Sequence, residues 1–186
     1  TYYAIDYGID SDGSKVEKLN VVPYSMESRG IRLKTSDWKI DLENKVKKFK
    51  PDLIAISSTE DMWELAMDVI NQIKDHKVKN KIPVVAGGVF PTFAPDICIK
   101  NELVDLVCVG EGENALIDLC ERIKNNEDFT NVTNLWVKKN GTVVKKNSIT
   151  NPVDINKNPI IDISQFEDIW LYRPMAGKFY KMLRIE

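Results

Sequence analysis

The sequence predicts an α/β fold: a parallel β-sheet with helices on both faces, followed by a β-hairpin and a linker. Three observations carry this expectation. Short apolar runs recur at residues 52–57, 82–88 and 104–109 without polar alternation, as strands covered on both faces do. Segments with apolar residues at helical spacing lie between them. The intervals, such as 58–81, are long enough to carry a helix across one face and return the chain in parallel.

The elements follow in order. "YYAID" (2–6) predicts a short strand, and the polar, glycine-containing residues 8–30 a long loop. "DWKIDLENKVKKF" sets Trp38, Leu42, Val46 and Phe49 on one helix face, with Ser36 or Asp37 as cap and Pro51 as stop. "DLIAIS" is the first buried strand. "MWELAMDVINQIKD" predicts a helix with Met62, Leu65, Ala66, Val69, Ile70 and Ile73 inward. "IPVVAGG" is the second strand, and "PDICIKNEL" a short helix begun by Pro95. "VDLVCVGEGE" gives a third strand over 104–109, a glycine turn, and a helix with Ala115, Leu116, Leu119, Cys120 and Ile123 inward. Asn140-Gly141 then marks a tight antiparallel hairpin, expected to stand apart from the parallel sheet. From Pro152 onward the chain reads as an irregular linker. The expected organisation is therefore an α/β domain over 1–126, a hairpin appendage over 127–150 and a linker over 151–186.

Composition excludes several functions. Lys and Arg number 26 against 28 Asp and Glu, a net charge of −2. No basic stripe with interleaved aromatics occurs, so nucleic acid is not an expected partner. Lys45, Lys47, Lys48 and Lys50 read as one solvated helix face. No run of about 18 apolar residues occurs, so no membrane span is expected. The first residues lack the basic-then-apolar pattern of a signal peptide. Without an initiator Met, the chain reads as beginning and ending inside a longer protein. Cys98, Cys108 and Cys120 show no zinc spacing. They read as small buried hydrophobes in a reducing, cytoplasmic setting. The single histidine, His76, sits in "KDHKVKNK" at a helix end and reads as solvated.

In an open parallel sheet, ligands bind beyond the carboxyl ends of the strands. Three strands here end in unusual loops: Ser57-Ser58-Thr59-Glu60, Gly87-Gly88-Val89-Phe90-Pro91-Thr92, and Gly110-Glu111-Gly112-Glu113 after Val109. The hydroxyls of the first can cap a helix or bond a ligand. Gly87 and Gly88 allow positive φ and close backbone approach. The glutamates of the third suit a helix N-terminus but repel phosphate. No Walker or G-x-G-x-x-G sequence supports a phosphate cradle.

At these loops "PDLIAISSTED", "PVVAGGVFPTFAPD" and "VDLVCVGEGENAL" resemble the flavodoxin-like (Rossmann-like) cobalamin-binding domain of cobalamin-dependent radical S-adenosylmethionine proteins. "NPIIDISQF" and "YKMLRIE" are similar to that family's connector. "VPYSMESRGIRLKTSDW" resembles its tetrapyrrole-cyclase branch. The resemblance implies cobalamin held by the three loops, with the glycines along its nucleotide tail and Val89 and Phe90 against its apolar parts. It implies a parent enzyme of methyl transfer or oxidative cyclisation. Its 4Fe-4S cluster and S-adenosylmethionine would sit in a downstream radical domain, because C-x-x-x-C-x-x-C is absent here. The D-x-H-x-x-G pattern of histidine-ligated cobalamin proteins is also absent, so no histidine ligand to cobalt is expected. In that family a strand and helix normally precede the segment that "YYAID" resembles, so the resemblance implies a sheet without its central strand here. Two other classes fit the same strand pattern: a receiver-like signalling module, whose acidic pair and phospho-acceptor Asp are not in place, and an interaction module without cofactor.

Overall fold

The computed structural model describes residues 35–150, 152–159 and 162, together with two strands at 172–175 and 178–181. The expected strand at 2–6 and loop at 8–30 lie outside the described residues. Residues 39–157 form one compact unit; residues 1–38 with 158–186 fall in a second.

The first unit alternates as expected. Helix α1 (Trp38–Phe49) leads to strand β1 (Ile54–Ser57), then to helices α2 (Trp63–Gln72) and α3 (Lys74–Asn80) and strand β2 (Val84–Gly87). Two short helices, α4 (Val89–Phe93) and α5 (Pro95–Lys100), precede strand β3 (Leu106–Cys108) and helix α6 (Glu113–Asn125). Strands β4 (Leu135–Lys139) and β5 (Thr142–Lys146) follow. The five strands form one sheet in sequential order, with β1, β2 and β3 parallel.

The hairpin is not an appendage. β4 pairs antiparallel with β3, Leu106 opposite Val137 and Cys108 opposite Leu135, and β5 pairs antiparallel with β4. Asn140 (φ 52°) and Gly141 (φ 78°) supply the positive angles of the tight turn. The expected boundary at 126/127 therefore runs through one sheet. The turn chemistry was legible, but nothing local says which edge a hairpin will join.

The two faces of the sheet bury separate cores. On one face, Ala86, Val107 and Val109 pack with Trp63 and Met67 of α2 and Cys98 and Ile99 of α5. Ile70 and Val84 extend that face beneath Ile54 and Ile56. On the other, Val85, Leu106, Cys108, Leu135 and Val137 pack with Ala115 and Leu119 of α6. β1 departs from expectation. Ile54 and Ile56 are half covered, but Ala55 and Ser57 are exposed. β1 ends the sheet among the described residues, and the α6 core is centred on β2, β3 and β4.

Helix phases also shift. α2 buries Trp63, Met67 and Ile70, while Met62 and Leu65 are exposed. Met62 precedes the helix as its N-cap, so the inward stripe starts one residue later. Cys120 is exposed, because it lies one residue, about 100° of helix, beyond Leu119. Phe49 closes α1 exposed, just before Lys50 turns to φ 53°.

In the second unit, strands β6 (Tyr172–Met175) and β7 (Lys178–Lys181) pair antiparallel. The segment read as an irregular linker thus carries a second hairpin.

Candidate cofactor site at the strand ends

Parallel strands deliver their carboxyl ends to one rim of the sheet. The loops after β1, β2 and β3 meet there through backbone bonds. Ser58 donates its amide to Gly87 O at 3.0 Å, and Phe90 donates to Ser58 O at 3.1 Å. Gly110 donates to Thr92 Oγ1 at 3.1 Å. The first loop is thereby bound to the second, and the second to the third.

In the first loop, Ser57, Thr59 and Glu60 are exposed and Ser58 is buried. The hydroxyls do not cap α2, whose N-cap residue Met62 makes no side-chain cap bond. Ser58 Oγ donates to Thr59 O at 2.8 Å, and Thr59 Oγ1 to Asp61 Oδ1. The loop folds on its own short side chains and leaves the Ser57 side of the rim uncovered.

The two glycines of the second loop differ. Gly88 has φ +95°, and a Cβ there would lie 2.7 Å from Ser57 Oγ and 2.9 Å from Ser58 N. The close approach of the first loop demands glycine at this position. Gly87 has no such angle, and its Cβ would meet Cys108 Cβ at 3.6 Å, an ordinary contact.

The apolar residues after the glycines form a single helical turn that the sequence reading missed. Phe90 turns inward and meets Trp63 edge to face, with ring centroids 5.4 Å apart. Pro91 is buried. Val89 (62% exposed) and Phe93 (83% exposed) face outward. Of the two apolar residues expected at the mouth, Val89 is exposed and Phe90 packs on Trp63, while Phe93, three residues on, is exposed. Residue type alone does not tell which side of one short turn meets the core.

In the third loop, Val109 is buried and Gly110 turns with φ +86°. Glu111 and Glu113 are exposed, and Gly112 is the N-cap residue of α6. Burial, with Glu113 nearby, pushes the Cys108 thiol up from its ordinary range. Glu111 is held by distant residues: its carbonyl accepts Asn134 Nδ2 at 2.8 Å, and its carboxylate accepts the Val153 amide. These partners left no signal in the sequence.

The rim thus offers hydroxyls, exposed backbone, an apolar pair and four carboxylates, at Glu60, Asp61, Glu111 and Glu113. No Lys or Arg occurs in these loops. Such a set suits a large neutral ligand with amide groups and apolar edges, and repels a free polyphosphate. Cobalamin, with its amide-bearing corrin periphery, fits it. The chain's single histidine is elsewhere: His76 lines a groove with Pro51, Ile82 and Pro83, at the opposite end of the strands. No group of three His, Cys, Asp or Glu that could hold a metal ion occurs among the described residues. Among them, too, no helix is long and apolar enough to cross a membrane.

Comparison with known proteins decides the family. Residues 19–119, more than half of the chain, match the B12 binding domain. The chain belongs to the B12-binding domain family. This assignment decides against the receiver-like alternative. Over 104 residues the domain is 29% identical to an uncharacterized methyltransferase of Pyrococcus horikoshii, matching 55% of this chain and 22% of that protein. Its structure is similar to that of the cobalamin-dependent S-adenosylmethionine radical enzyme OxsB with aqua-cobalamin and S-adenosylmethionine bound. That match has a TM-score of 0.55 and 17% identity, over 76% of this chain and 22% of OxsB. It is also similar to the radical S-adenosylmethionine methyltransferase TsrM from Kitasatospora setae with cobalamin and a [4Fe-4S] cluster bound. There the TM-score is 0.53 and the identity 19%, over 77% of this chain and 28% of TsrM. At these identities the structural likeness is one of fold. The chain spans about a fifth of the length of the methyltransferase relative (22%).

Proposed function

We propose that this B12-binding domain holds cobalamin on the rim formed by its three strand-end loops. The parent enzyme is then a cytoplasmic radical S-adenosylmethionine protein. The observation that carries the site is the chain of bonds from Ser58 to Gly87 and Phe90, and from Thr92 to Gly110, which sets all three loops on one ledge. Ser57 and Thr59 offer hydroxyls to the amides of the ligand. Gly87 and Gly110 bring backbone close to it. Val89 and Phe93 give it an apolar seat. Val109, Gly112 and Pro91 shape the ledge from beneath, and Glu60, Glu111 and Glu113 bound it.

When bound, the cofactor supplies a cobalt centre able to carry a methyl group or exchange electrons. The domain positions it and contributes no histidine to the cobalt, because His76 lies at the far end of the strands. A 4Fe-4S cluster and S-adenosylmethionine belong to a downstream domain of the parent. Of the two expected reactions, methyl transfer has the better support, because the Pyrococcus relative and TsrM are both called methyltransferases.

Titration of the chain with hydroxocobalamin, followed in the visible spectrum, tests this. Saturable binding without an imidazole-ligated spectrum is expected. No binding by the folded chain would leave the non-cofactor interaction module as the better reading.

A further inference from the structure

Asn134 is, with Ser58, one of two buried polar residues among the described residues. It is 4% exposed and sits just before β4 with φ +65°, a left-handed conformation that asparagine tolerates better than most residues. All four of its hydrogen-bonding groups are used. Its carbonyl accepts the Val109 amide at 2.8 Å, and its amide donates to Ser148 O at 3.1 Å. Its Nδ2 donates to Glu111 O at 2.8 Å. Its Oδ1 accepts the Thr150 amide at 2.7 Å. One side chain therefore joins the third strand-end loop to the segment that leaves the sheet after β5. Glu111 makes the same connection again through Val153.

The chemistry permits no ready substitute. A donor and an acceptor are both needed on one short side chain at positive φ. Aspartate would turn a second acceptor toward the Glu111 carbonyl. Glycine would keep the backbone and lose both side-chain bonds.

We propose that Asn134 is a positioning residue that couples the third strand-end loop to the exit segment at residues 148, 150 and 153. Cobalamin on the rim and the placement of that segment then influence one another. This rests on the assignment of residues 110–113 to the cofactor rim. By linkage the coupling is reciprocal: ligand that fixes the loop also fixes the exit segment, and a displaced exit segment weakens ligand binding.

The test uses the chain with and without hydroxocobalamin, with site-resolved amide exchange and visible titration. In the wild type, cobalamin should slow exchange of the Thr150 and Val153 amides several-fold. In Asn134→Gly the slowing should vanish at Thr150 and shrink at Val153, whose amide Glu111 still accepts, and the Kd should rise about tenfold, the scale of one net buried hydrogen bond. Cobalamin that binds and protects residues 110–112 while leaving Thr150 and Val153 unchanged would overturn the coupling. So would an Asn134→Gly protein that binds normally and keeps the slowing at Thr150.

Val153→Pro, which removes one amide in the exit segment, covers the case in which Asn134→Gly does not fold. It also tests the coupling without ligand. In the free protein it should speed amide exchange at Gly110 to Gly112 several-fold, and unchanged exchange there overturns the coupling. If the wild type binds no cobalamin, the cofactor assignment fails, and this ligand-free measurement still decides whether loop and exit segment are coupled.

Discussion

The Phe90 amide donates to the Ser58 carbonyl at 3.1 Å, and that bond brings the Gly88 backbone against the first loop. The double glycine is thus two different requirements. Gly88 answers to the protein itself, at positive φ and in contact range of Ser57 and Ser58. Gly87 ends β2 in an ordinary conformation.

Gly88→Ala should lower stability by roughly 1–3 kcal/mol from backbone strain alone, with the clash adding to it. Gly87→Ala should stay within about 1 kcal/mol of wild type. Denaturant melts of both variants check this. Equal losses would show that the loops do not press together as described.

Phe90 and Phe93 should separate in the same way. Phe90 is partly buried and packs on Trp63, so Phe90→Ala should cost about 2–3 kcal/mol of stability, somewhat below the range for a fully buried phenylalanine. Phe93 is 83% exposed. Phe93→Ser should leave stability within about 0.5 kcal/mol of wild type, as surface substitutions generally do. It should weaken cobalamin binding severalfold. Paired melting and titration of the two variants measure this; unchanged affinity in Phe93→Ser removes it from the apolar seat.

The cysteines give a pH test. Burial pushes the Cys98 thiol up to about 11 from an ordinary 9.0. The folded state therefore holds a proton that the unfolded chain loses. This contribution is fully present below about pH 9 and is lost as pH rises toward 11. Stability measured from pH 8 to 10.5 should fall, and Cys98→Ala should flatten part of that fall. At neutral pH only exposed Cys120 should react with a thiol reagent in the native protein, since Cys98 and Cys108 are buried.

Much of this was legible in the sequence. β2 and β3 are apolar without a break because helices cover both their faces, and an uninterrupted apolar run has few other uses. The three strand-end loops could be placed because parallel strands must end at one rim. Phe90 and Asn134 could not be read. Phe90 lies on a turn too short to show periodicity. Asn134 bonds to Glu111 and Thr150, 23 and 16 residues away, and contacts at such separations leave no local pattern. β1 misled for another reason: its composition is that of a covered strand, while its place at the end of the sheet among the described residues leaves Ala55 and Ser57 open.

The hairpin yields the last prediction. If it were an appendage, a chain ending at residue 126 would fold and keep the site. In the structure, Leu135 and Val137 are fully buried in the same cluster as Leu106, Ala115 and Leu119. Removing the hairpin would bare one edge of β3 and the apolar side of α6. It would also delete Asn134, which holds Val109 and Glu111 at the rim. A chain truncated at 126 should therefore lack a cooperative thermal transition and bind no cobalamin. Leu135→Ala in the intact chain should cost about 2–5 kcal/mol, the range for truncating a buried leucine. It should reduce cobalamin binding only through the unfolded fraction, because Leu135 does not reach the ledge. A truncated chain with a sharp melt and intact binding would show instead that the sheet is complete at β3.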